Sequence, residues 1–145
     1  MAKFDTSRVI PASIEHVFAA ISDPERLARW WGPAGFTNTF HVCEFRTGGR
    51  WVYTMHSPNG GNPENESFFE LVDPPHKLVI RHTSLPLYRL TIILTLSEGG
   101  TRVSWSQDID DPEVAQRIEK IVVRANEQNL DRLTDEVMRS AGENP

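Results

Sequence analysis

A chain of 145 residues with a net charge of −5 is one domain's worth of polypeptide, long enough to bury about 70% of the surface its unfolded form exposes. Hydrophobic residues at 39% and charged residues at 24% exclude both a disordered chain and a lipid-embedded one. The 15 Lys and Arg are scattered among 20 Asp and Glu, so no positive face suits a phosphate backbone, and nucleic acid is not an expected partner.

Residues 4–10 read as a short strand bounded by Pro11. After Ser13 the apolar residues Ile14, Val17, Phe18 and Ile21 recur at helical spacing. Asp23-Pro24 starts a second helix, because Asp caps free amides while Pro fits the first turn without losing a needed donor. That helix runs through Leu27 to about Trp30, where Gly32, Pro33 and Gly35 stop it.

From Phe36 onward, short runs rich in β-branched and aromatic residues alternate with turn signals, the pattern of successive antiparallel strands. The runs are 37–46, 50–56, 66–72, 77–83, 88–97 and 101–107. Gly48-Gly49, the loop 57–65, Pro74-Pro75, Leu85-Pro86 and Gly99-Gly100 separate them. Within that loop, 58–63 reads as a flexible hairpin tip. Asp111-Pro112 then repeats the cap-and-proline signal. Val114, Ile118, Ile121, Val122, Ala125, Leu130, Leu133 and Val137 mark one apolar stripe on a helix of about 40 Å. The expected domain is 1–141, with 142–145 as a frayed tail.

A single cysteine, Cys43, makes no internal disulfide, and an acid at Asp5 sits where a signal peptide would carry its apolar run. The expected compartment is the cytoplasm. No stretch approaches the ~20 apolar residues of a membrane helix, so membrane insertion is not expected.

A long helix with one apolar face must cover something broad, and the sheet of six to seven strands is the only such partner. Alternation puts Trp51, Tyr53 and Met55 on one face, Leu90, Ile92, Leu94 and Leu96 on the same face of a later strand, and Val103 and Trp105 on that of the next. A curved sheet around one helix often leaves a gap at its open end that suits an apolar ligand. Periodicity alone supports that hollow and a solid core equally.

Several segments carry a family resemblance. They are Arg8-Val9-Ile10-Pro11-Ala12-Ser13, Ser22-Asp23-Pro24-Glu25-Arg26-Leu27, Trp30-Trp31-Gly32-Pro33, Thr47-Gly48-Gly49-Arg50-Trp51, Leu71-Val72-Asp73-Pro74-Pro75, Gly99-Gly100-Thr101 and Leu130-Asp131-Arg132-Leu133. In this order and spacing the chain resembles the activator of heat-shock-protein-90 ATPase homology family of the START-like (SRPBCC) superfamily. The resemblance implies an α+β helix-grip fold (START-like, Bet v-like), a curved antiparallel sheet around a long C-terminal helix, with two short helices after the first strand. It also implies a cavity for a small hydrophobic or aromatic molecule, and a chaperone as a second possible partner. Where many relatives have Gly followed by a bulky residue in the last helix, this chain has Ala125-Asn126. An inward amide there needs a protein partner or a polar ligand atom, unless a ~50° rotation of the helix turns it to solvent.

Trp30 and Trp31 stand where rings close a cavity mouth or pack helices onto the sheet. Trp51, Tyr53, Met55, Phe69, Ile92, Leu94 and Trp105 are candidate wall residues, although side chains of this kind are more often core than ligand contacts. His82 shares a face with Leu78 and Ile80, which makes it the best candidate for a polar contact or, with Tyr53, an acid/base pair. His41 and Cys43 alternate on one strand face without a second pair to complete a metal site, and no cofactor motif is present, so neither metal nor cofactor is expected. The leading expectation is a binding module with Asn126, His82 and Tyr53 conferring specificity. A cyclase- or hydrolase-like enzyme and a chaperone-associated protein are the alternatives. Monomer and homodimer are both compatible with the sequence.

Overall fold

The computed structural model describes residues 3–143. In chain order the elements are β1 (Lys3–Ile10), α1 (Ile14–Ser22), α2 (Pro24–Trp30), β2 (Thr37–Cys43), β3 (Arg50–His56), β4 (Glu64–Asp73), β5 (Lys77–His82), β6 (Tyr88–Ser97), β7 (Gly100–Ile109) and α3 (Pro112–Glu143). The three expected helix starts are capped as the sequence implies. Ser13 accepts from the His16 amide, Asp23 from Glu25, and Asp111 from Glu113. α3 continues to Glu143, into the segment expected to fray, and Asn144 and Pro145 lie outside the described residues.

The strands form one antiparallel sheet in the order β1-β7-β6-β5-β4-β3-β2. Hairpins link β2 through β7 in sequence, while β1 closes onto β7, with Lys3 opposite Asp108 and Ile10 opposite Thr101. Register shifts between Phe40 and Val42 and between Phe69 and Leu71 bend the sheet, since a bulge sharpens local twist. The two short helices span from one sheet edge to the other and α3 covers the concave face, which is the helix-grip arrangement.

The bulge in β2 corrects one expectation from alternation. His41 is exposed and bonds the Thr54 hydroxyl at 2.8 Å, whereas Cys43 packs against the core, so the two do not share a face. Leu96 is a second correction: it is 86% exposed, at the hairpin end of β6 beside the start of α1, where nothing covers the sheet. Ile121, placed on the apolar stripe of α3, is 69% exposed.

Burial is divided unevenly along α3. Leu130, Leu133 and Val137 join the main core with Trp30, Trp51 and Phe69, while Ala115 and Val122 meet Ile109 in a smaller cluster. Tyr88 packs against both clusters. No helix among the described residues is long and apolar enough to cross a membrane.

Candidate functional site

Between the two clusters the sheet and α3 do not close. A cleft of about 140 Å³ remains, floored by Tyr53 and Met55 of β3, Leu90 of β6 and Trp105 of β7. Strand alternation selects these side chains, and the register that sets Leu90 opposite Gln107 continues the floor across β6 and β7. Although β4 and β5 lie between β3 and β6 in the sheet, its curvature brings Tyr53 and Trp105 to one cavity. Val122, Ala125 and Asn126 of α3 form the roof, and Gly32, Pro33 and Ile121 stand at the margin.

The loop after α2 reaches this margin because α3 holds its backbone. The Arg132 guanidinium donates to the carbonyls of Arg29, Trp31, Gly32, Pro33 and Phe36 at 2.7–3.1 Å. Asn129 accepts from the Gly32 amide and donates to the Trp30 carbonyl, and Gln128 accepts from the Ala34 amide. Gly32 has φ +99, a conformation that favours glycine, and a Cβ there would lie 2.8 Å from the Met55 methyl and push that flexible side chain aside. Held this way, Trp31 turns inward and its indole donates to the Tyr53 hydroxyl at 3.2 Å.

Asn126 differs from its neighbour one turn on. It is 8% exposed, it lines the cleft, and its side chain makes no hydrogen bond among the described residues. The helix is therefore not rotated away, and the amide faces inward without a protein partner. Burial pushes the Tyr53 phenol well above its ordinary range and raises that of Tyr88, so both stay neutral. Among the described residues lining the cleft there is no Asp, Glu, Lys, Arg or His. The cleft offers flat apolar surface and neutral hydrogen-bonding groups.

Of the residues singled out from the sequence, Trp31, Tyr53, Met55, Trp105 and Asn126 meet at this cleft. Trp30, Trp51, Phe69, Ile92 and Leu94 are buried in the main core instead. Trp51 is stacked between Tyr53 and Phe69, with ring centroids at 4.4 and 5.4 Å, and this packing makes that part of the interior solid. His82, 1% exposed, lies behind Tyr88 with the two rings stacked at 4.4 Å.

The His82 ring is occupied on both edges. Its Nδ1 lies 2.8 Å from the Pro86 carbonyl, which only accepts, so Nδ1 carries the proton. Nε2 lies 2.8 Å from the Asn65 Oδ1 and 3.3 Å from the Ser84 hydroxyl, which is the group that donates to it in the neutral ring. Burial holds the imidazole below its ordinary pKa despite those partners. No hydrogen bond joins it to Tyr53 among the described residues, so the geometry offers no acid/base pair there. Burial likewise pushes the Cys43 thiol up to about 11, away from nucleophilic use.

Sequence reasoning missed Tyr88, Gln107 and Asn129. The first two were legible as the residues two before Leu90 and two after Trp105 on the same strand faces, and Asn129 as the residue three after Asn126 on the same helix face.

Among curated proteins none matches this chain. Its structure is similar to that of a protein from Arthrobacter aurescens, with TM-score 0.86 and 22% identity over 95% of this chain and 87% of that one. A protein from Rhodobacter sphaeroides aligns with TM-score 0.82 and 25% identity, covering 97% and 94%. The AHSA1-like protein from Aeromonas hydrophila aligns with TM-score 0.74 and 22% identity over 96% and 94%. The model of the family described as Activator of Hsp90 ATPase homolog 1-like protein matches residues 11–138. With nearly the whole fold inside that match, the chain belongs to the Activator of Hsp90 ATPase homolog 1-like family, in its START-like helix-grip form.

Proposed function

We propose that this protein binds a small molecule in the cleft between the sheet and α3, with a polar atom of the guest paired to Asn126. The observation that carries the reading is that amide, on a buried residue, open to the cleft and bonded to no protein group among the described residues. Its N and O atoms face the cleft, where a guest's polar atom can take the place of water on them. Asn129, one turn away, has both ends of its amide bonded to the loop backbone and needs no guest.

The test is Asn126→Leu. It is expected to change unfolding stability by less than about 1 kcal/mol, because the amide it removes is bonded to no protein group among the described residues. The same variant should lose the chemical-shift changes that binders from a fragment library produce at cleft residues. A variant that is destabilised and still binds there would return Asn126 to a structural role and remove the support for this site. The family description supplies a second reading, activation of a chaperone ATPase. An ATPase assay with the heat-shock chaperone tests it, and stimulation unaffected by Asn126→Leu would place that activity on the surface, apart from the cleft.

A further inference from the structure

Resting on the binding reading above, we infer that the guest is an uncharged molecule with a single ring and one principal hydrogen-bonding group, of the phenol or benzamide type. Size sets the first bound. A cavity of ~150 Å³ holds a benzene-sized molecule, and pockets for larger ligands run to about 300–1,000 Å³. At about 140 Å³ the cleft has room for one ring and is too small to enclose a whole lipid chain or a fused-ring skeleton.

Charge sets the second bound. The described lining has no ionisable side chain except Tyr53 and Tyr88, both held protonated by burial. A carboxylate or ammonium would shed its hydration there and find no counter-charge. His82, which stacks on the lining residue Tyr88, is engaged by Pro86, Asn65 and Ser84.

Shape and polarity complete the description. The indoles of Trp31 and Trp105, in contact with centroids 6.1 Å apart and planes at 34°, form one aromatic wall of the cleft against which a flat guest can lie. Asn126 carries a donor and an acceptor on one amide, so it pairs with a hydroxyl, a carbonyl or a carboxamide. Gln107, partly exposed, is the more solvated of the two cleft-lining amides whose side chains make no hydrogen bond among the described residues.

Titration of the 15N-labelled protein with benzamide, phenol, benzoate, benzylammonium and dodecanol distinguishes these bounds. Benzamide and phenol are expected to shift the Asn126 side-chain amide and the Trp31 and Trp105 indole signals. Benzoate and benzylammonium, with the same ring, should bind about tenfold or more weaker, and dodecanol should leave those signals in place. In Asn126→Leu, benzamide should weaken about tenfold while toluene does not. Benzoate or benzylammonium binding at the cleft as tightly as benzamide would overturn neutrality, and dodecanol there would overturn the single-ring limit, with the binding site itself intact. Cleft signals unmoved by every probe would overturn the inference and the binding reading together.

Discussion

Glu136 is 6% exposed, and its carboxylate accepts from Arg26, Arg29 and Arg139 at 2.9–3.3 Å. Burial alone would raise its pKa, but the hydrogen bonds from Arg29, Arg26 and Arg139 more than offset it and hold the carboxyl below its ordinary value. Such a group contributes stability above its unfolded-chain value, ~4.3, and loses it as pH falls through the lower folded value. Glu136→Gln is therefore expected to cost about 1–3 kcal/mol at neutral pH, less than for a fully buried pair because Arg29 and Arg139 are half-exposed. Urea denaturation at pH 7 and pH 3 checks this, since the gap to the unmodified chain should narrow in acid. His82 works on a different window. Its folded pKa is lowered, so stability is complete above the unfolded value of ~6.5 and declines as pH drops from there toward the folded value. Denaturation curves between pH 7.5 and pH 5 should show that decline in the natural chain and a flatter response in His82→Phe.

Arg132 joins α3 to the loop after α2 through five carbonyls, making a single side chain responsible for the margin of the cleft. Arg132→Ala should cost about 2–3 kcal/mol and speed hydrogen exchange at the Gly32 and Ala34 amides. Arg132→Lys should recover little of either, because an ammonium lacks the planar fork that reaches several carbonyls at once. A Lys variant with unmodified exchange at both amides would refute this account of the loop. Helix starts at Ser13, Asp23 and Asp111 were readable because a cap is a local event between near neighbours. The bulge that separates His41 from Cys43 was not, because it depends on how β2 meets β3. Leu96 failed for a related reason: alternation gives the face of a strand but not how far a covering helix extends along it.

At the scale of the whole molecule, the face occupied by each aromatic ring was legible, and the division between wall and core was not. Trp51 and Tyr53 are two residues apart on one face, yet Tyr53 borders open volume and Trp51 is enclosed by rings on several sides. Where the interior stops being filled depends on the curvature of seven strands together, which no single strand encodes. Trp51→Ala should accordingly act on stability, costing about 3–5 kcal/mol, and is a poor probe of binding. Closure of the sheet is equally a property of the whole, since β1 has no strand partner until β7 is made. Folding dominated by such distant pairings is expected on the millisecond-to-second scale, which stopped-flow measurement would test.

The four tryptophans of the chain are all buried and lie in contact with one another, and two of them border the cleft. The molecule thereby carries its own optical reporter. Denaturation would expose the indoles to water and move their emission to the red, whereas a guest seated against Trp31 and Trp105 would change brightness with little change of colour. One fluorescence spectrum can thus tell an occupied protein from an unravelled one without any attached dye.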